Sequence, residues 1–194
     1  MAYEEAQDLA ETTDVRGAGA ASQFNASLSA KALVAVVEHH VSAALPRRMT
    51  DAMIAAALGV SPETLRAAFA RVHGEPTYRA LLKLRVRLVD LTLRADPDLS
   101  PRAVAQVCGF GYFGRFHQLY RRDTGRSPEL RVDRASADDQ AVRRAREAVA
   151  ATVARVLKPE AEQSAAVLTQ LGRTPVPPEA RSVEAIDASR EPRS

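Results

Sequence analysis

The sequence predicts an all-helical protein, and three observations carry that expectation. Ala, Leu and Arg dominate the composition and head the ranking of helix propensity. Apolar residues recur at three- and four-residue spacing, and no stretch of strand length alternates with period two. Start and stop signals stand where helices need them, with Ser-Pro pairs opening segments and glycines closing them.

Residues 1–29 are acidic, small and aperiodic, which predicts a disordered tail. From Ala30 to Leu45, the residues Leu33, Val36, Val37, Val41 and Leu45 fall on one helical stripe that Pro46 ends. Thr50 is placed to cap a short helix through Leu58, closed by Gly59. Ser61-Pro62-Glu63 opens a helix to His73: Ser caps, Pro takes the first turn, and the acid faces the positive helix end. A longer helix follows over Thr77–Arg94, with Tyr78, Leu81, Leu82, Val86, Val89 and Leu93 on its apolar side. Ser100-Pro101 opens a helix ending at Cys108-Gly109, another spans Phe113–Thr124 before Gly125, and Ser127-Pro128-Glu129 starts a last short turn. A helical extension is expected over 135–172, one helix reaching Leu157 and another over Pro159–Leu171, before a proline-rich disordered tail at 173–194.

The chain has 194 residues, 46% of them hydrophobic and 26% charged, enough apolar surface for a core. Its apolar runs are far shorter than the roughly 18 residues of a membrane span, and its acidic N-terminus has the wrong sign for a secretory leader. The lone Cys108 forms no internal disulfide. The expectation is a bacterial cytoplasmic protein with no membrane partner. The net charge of +3 is segregated. Residues 46–134 hold 16 Lys+Arg and 9 Asp+Glu, a balance of +7, and the rest of the chain carries −4. A basic middle between acidic ends suits a polyanion.

That middle contains a degenerate repeat. Its first copy reads Ala55-x-x-x-Gly59-Val60, Leu65-x-x-x-Phe69, Gly74-Glu75-Pro76; its second reads Ala105-x-x-x-Gly109-Phe110, Phe116-x-x-x-Tyr120, Gly125-Arg126-Ser127-Pro128. Each copy has the parts of a helix-turn-helix. A small residue permits close helix crossing, a glycine four positions on permits a left-handed turn, and apolar residues lock the second helix. Such a second helix is free to enter a DNA major groove.

With these residues in view, positions 31–134 resemble the DNA-binding domain of AraC/XylS-type bacterial transcription regulators. The likeness is most specific at Cys108-Gly109-Phe110, Gly114-Arg115-Phe116, Tyr120-Arg121-Arg122, Gly125 and Ser127-Pro128, with a second turn one residue longer than the first. Gly59-Val60-Ser61-Pro62, Leu65, Phe69 and Gly74 match the first half, and Arg85 falls on an arginine of the family's linking helix. The resemblance implies a seven-helix domain over 30–134, two helix-turn-helix units joined by a long linking helix, and contact with two successive major grooves. Tyr112, Gly114 and Gln118 stand where many members have Asp, Ser and Arg. The usual N-terminal sensor domain has no counterpart in the roughly 30 residues that precede the module.

The expected base readers are Glu63, Arg66, Ala67 and Ala70 on the first reading helix and Tyr112, Phe113, Arg115 and Gln118 on the second. Arginine binds guanine bidentately and a glutamate accepts from cytosine. On the other reading, Glu63 and Arg66 are a solvated pair. Arg71, His73, Arg85, Arg121, Arg122 and Arg126 suit DNA phosphates. Gly111 and Gly114 are expected to weaken the start of the second reading helix by about 1 kcal/mol each. Cys108 reads as core. His39 and His40, adjacent on a helix, point apart and do not form a metal site. No catalytic constellation, metal set or cofactor motif is found, so no enzyme activity and no cofactor are expected. The expected function is sequence-specific DNA binding in transcription regulation, as a monomer or weak homodimer, with RNA polymerase the family's implied further partner. The alternative is an anti-activator, a helical protein-interaction module that keeps the fold without reading DNA. Val142, Ala145, Val149, Val153 and Val156 form a stripe on the extension, beside Arg143, Arg144 and Arg146, for docking back on the domain or for dimerisation.

Overall fold

A computed structural model describes residues 29–128 and 139–170, and among them the chain forms eight helices and no strand. The expected tails at 1–28 and 173–194, and the turn beyond Pro128, lie outside the described residues. The seventh helix implied for the domain falls there too, so six of its helices are described.

Helix α1 covers 29–43 and turns at 44–46. Ser29 is already helical and buried, a correction to the tail boundary expected at residue 29. The helix also stops before Leu45, since the residue ahead of a proline avoids helical backbone angles. Helices α2 (Asp51–Leu58), α3 (Pro62–His73) and α5 (Pro101–Val107) start as expected. The hydroxyls of Thr50, Ser61 and Ser100 accept from the backbone N–H of Met53, Thr64 and Ala103 at 3.2, 3.1 and 3.3 Å. Helix α4 (Thr77–Ala95) is the linking helix, about 28 Å long at 1.5 Å per residue. Helix α6 (Phe113–Thr124) begins after Tyr112, which supplies no side-chain cap. Gly111 therefore lies in the bend before α6, so only Gly114 weakens the helix itself. Helices α7 (Asp139–Val156) and α8 (Lys158–Gln170) form the extension.

One apolar cluster runs through all of α1–α7. Helix α4 packs against α3, α5, α6 and α7, so it is the beam to which both helix pairs are fixed. Tyr78, expected on its apolar side, is instead 66% exposed, because Thr77 takes the buried position of the first turn. The stripe on α7 docks within the chain: Ala145, Val149 and Val153 are buried against the core, and α7 packs chiefly on α5 and α4. Between α4 and α7 the buried Thr92 hydroxyl donates to Thr152 at 3.1 Å.

Candidate nucleic-acid interface

The repeat is realised as two copies of one turn. At the end of α2 the Val60 N–H bonds the Ala55 carbonyl at 3.0 Å and the Gly59 N–H bonds Ala56 at 3.4 Å. At the end of α5 the Phe110 N–H bonds the Ala105 carbonyl at 3.0 Å and the Gly109 N–H bonds Gln106 at 2.9 Å. Both are Schellman closures, which need a left-handed residue four positions after the acceptor. Gly59 and Gly109 supply it at φ 67° and 87°. The Ala-x-x-x-Gly spacing is thus the spacing of the hydrogen bonds, and each alanine, almost fully buried, also permits the close crossing. Leu65 and Phe116 sit in equivalent places on α3 and α6, and both are wholly buried.

With those residues facing inward, α3 turns Glu63, Arg66, Ala67, Ala70 and Arg71 outward, all exposed. Arg66 Nη2 donates to Glu63 Oε1 at 2.8 Å, with both side chains more than half exposed. A hydrogen bond to its own backbone N–H, with Arg66 adding to it, holds Glu63 below its ordinary carboxylate range. An exposed pair of this kind is weak and screened by solvent, so Arg66 is released from it at little cost.

Helix α6 turns Tyr112, Arg115, Gln118, Arg121 and Arg122 outward. Tyr112 is 75% exposed, and its ring lies over Gly114, where an added Cβ would come within 2.9 Å of it. Phe113 is placed differently from its neighbours: it is half-buried, and its ring packs on Phe116 with centroids 5.5 Å apart.

The candidate phosphate contacts divide into three kinds. Arg71 and Arg121 are exposed. Arg122 and Arg126 are exposed but engaged, the first with Asp123 at 2.7 Å and the second with Asp90 at 2.9 Å. His73 reaches back to Glu38 of α1 at 3.0 Å. Arg85 is half-buried beside Gly109 and Arg48, and burial first, then the Arg48 charge, pulls it below the ordinary arginine range. Cys108, fully buried, has its thiol pushed up to about 12 by that burial, as suits a core residue.

Sequence reasoning missed two features. Asp90 lies on the buried side of α4 and receives hydrogen bonds from Tyr120 and Arg126, with Arg94 on its second oxygen at 2.9 Å. The signal was available, since an acid one residue after Val89 interrupts an apolar face. Arg48, whose guanidinium donates to the Gly109 carbonyl at 3.4 Å, carried no motif of its own. Among the described residues there is no cluster able to hold a metal ion and no helix long and apolar enough to cross a membrane.

Residues 54–130, which span both turns and both outward helix faces, match a family of helix-turn-helix domains. No curated protein and no solved structure matches the chain.

Proposed function

We propose that this chain, which carries an AraC/XylS-type helix-turn-helix domain over residues 54–130, is a transcription regulator that reads specific DNA with α3 and α6 in two successive major grooves. One observation supports the reading above all others. Two identically closed turns leave the outward faces of α3 and α6 free, with Arg66 and Arg115 exposed near the starts of the two helices. Arginine at the start of a reading helix suits bidentate recognition of guanine, and Arg71 and Arg121 suit the flanking phosphates. The linking helix of about 28 Å is broadly commensurate with major-groove contacts about 34 Å apart, and slight bending of the duplex closes the difference. The domain arrangement that goes with this reading is a DNA-binding unit over 30–134 followed by an extension over 135–172, whose helix α7 packs on α4 and α5.

The test is selection of bound sites from random duplex DNA by the purified chain, followed by titration at several salt concentrations. Enrichment of a site with two short conserved blocks one helical turn apart is the expected result. If about five to seven cations neutralise phosphates, log K falls against log salt with a slope of roughly −4 to −6. No enriched site and a slope near zero would overturn the reading in favour of a protein-interaction module.

A further inference from the structure

Between the two units, beside Gly109, lies a cavity of about 540 Å³. Small-ligand sites span about 300–1,000 Å³ and combine an apolar lining with a few convergent polar groups. Here the apolar wall is Tyr78 and Leu82 from α4, Phe110 from the second turn and Leu119 from α6. Among the polar groups, two guanidiniums stand beside Gly109, Arg48 ahead of α2 and Arg85 on α4, with Thr50, Asp51 and Arg115 elsewhere in the lining. Gly109 brings them together: Arg48 donates to its carbonyl, and an added Cβ would stand 3.1 Å from Arg85 Nη1.

Among the described residues, neither guanidinium has a salt-bridge partner. Arg85 Nε is buried with no hydrogen-bond partner, and no carboxylate is among the charges that act on Arg85. Asp51, the acid in the lining among the described residues, pairs with neither arginine. Arg85 is half-buried with the exposed Arg48 beside it and no acid to answer its charge, and a carboxylate answers two guanidiniums with paired, charge-assisted hydrogen bonds. The most exposed aromatics among the described residues, Tyr78 and Tyr112, border the same opening and leave apolar surface in water.

We infer that this cleft binds a small monocarboxylate with an apolar body, aryl or branched alkyl, its carboxylate bridging Arg48 and Arg85 and its body lying against Tyr78, Leu82 and Phe110. A DNA phosphodiester brings the anion but no apolar body, and leaves that wall unmatched. Tyr112 and Arg115 of α6 also line the cleft, so an occupant meets the second reading helix where it starts. The coupling to DNA rests on the function proposed above, whereas the binding does not.

Calorimetric titration of the full chain without DNA tests the inference, using sodium 4-phenylbutyrate, 4-phenylbutanamide and inorganic phosphate as probes. The acid should bind saturably at one site and at least about tenfold more tightly than the neutral amide, the loss expected when a charge-assisted pair is removed. Arg48→Ala and Tyr78→Ala, both at exposed side chains, should each weaken the acid at least about fivefold and keep the helical circular dichroism spectrum. Adding the acid should then shift the affinity of the selected DNA site. No saturation by roughly 10 mM acid, equal binding of acid and amide, or wild-type affinity in both variants would overturn the site. Displacement of the acid by an equal concentration of phosphate would reassign the arginines to the DNA backbone alone. A chain that binds the acid but no DNA would refute the proposed function and leave this site standing.

Discussion

The Tyr120 hydroxyl donates a 2.6 Å hydrogen bond to Asp90 Oδ1, and Arg126 donates to the same oxygen at 2.9 Å. One buried carboxylate on the linking helix therefore fixes α6 and the segment after it. The orientation of α6 depends on that carboxylate as well as on apolar packing. Asp90→Ala leaves a buried hydroxyl and the Arg94 and Arg126 charges unmatched, and should cost about 3 kcal/mol in urea unfolding. Tyr120→Phe should cost about 1 kcal/mol. Burial, and then the bond to Asp90, push the Tyr120 hydroxyl up to about 12 from its ordinary value of 10.0. A raised value means the stabilisation is intact below pH 10 and lost as the pH climbs towards 12. The alkaline loss of stability should be shallower in Tyr120→Phe, and an unchanged profile would remove Asp90 from its role as anchor.

Three of the helix starts around the two turns are capped by a hydroxyl, and α6 is not. Tyr112→Asp places an acceptor at the cap and a negative charge at the positive helix end, and should raise stability by about 1 kcal/mol. Ser61→Ala should lower it by about the same amount. Thermal unfolding of both variants against wild type measures the pair, and a destabilised Tyr112→Asp would show that the Tyr112 ring over Gly114 contributes more than the missing cap.

The left-handed glycines are not equivalent. At Gly74 an added Cβ meets nothing within 4 Å, whereas at Gly109 it meets the Pro46 carbonyl and Arg85 Nη1, both at 3.1 Å. Gly74→Ala should therefore cost only the backbone strain, about 1–2 kcal/mol. Gly109→Ala should cost more, and should also disturb the arginine pair beside it. Equal losses in chemical denaturation would contradict the geometry.

Glu38 accepts from His73 at 3.0 Å, taking the ring nitrogen as the donor, and so ties α1 to the end of α3. Burial nevertheless pushes Glu38 above the ordinary carboxylate range, against the opposing pull of His73 and Arg87 and with Glu160 adding to the rise. The contribution of a group raised in this way is present at low pH and lost as the pH rises through its folded value. Glu38→Gln keeps an acceptor without the charge, so its stability relative to wild type should increase from pH 4 to pH 7. A decrease over that range, followed by denaturant midpoints at each pH, would mean that the ion pair outweighs the burial.

On DNA, Arg66→Ala should cost about 1–3 kcal/mol at the selected site and relax one base position. Arg121→Ala should weaken specific and scrambled duplexes alike and lower the salt slope by about one. Gln118→Ala should cost less than Arg66→Ala, since it removes a single amide from a helix that starts without a cap. If Gln118→Ala abolishes specificity while Arg66→Ala lowers both affinities equally, the two reading helices have their roles exchanged.

The helix boundaries were legible because the chain marks them chemically. Thr50, Ser61 and Ser100 each cap the helix that the sequence places after them, and Gly59, Gly74 and Gly125 each close one in the left-handed region. The site was legible where it depends on helical phase: with Leu65 and Phe116 fixed inward, Arg66 and Arg115 turn outward. What sequence alone left hidden depends on distance across the fold. Arg48 and Arg85 meet because Gly109 lies between them in space, and neither has a spacing that announces the other. Tyr78 misled because an amphipathic stripe does not say which of two neighbouring residues, Thr77 or Tyr78, takes the buried edge.

The packing of α7 over α5 and α4 predicts an order of assembly during synthesis. Helices α1 to α4 leave the ribosome as a nearly complete first half, able to bury Leu65 and Phe69 at once. The second half cannot cover α5 until α7, about fifty residues further on, has emerged. A nascent or truncated chain ending near 134 is expected to hold α3 firmly and α6 loosely. Its affinity for half of the site should outlast its affinity for the whole.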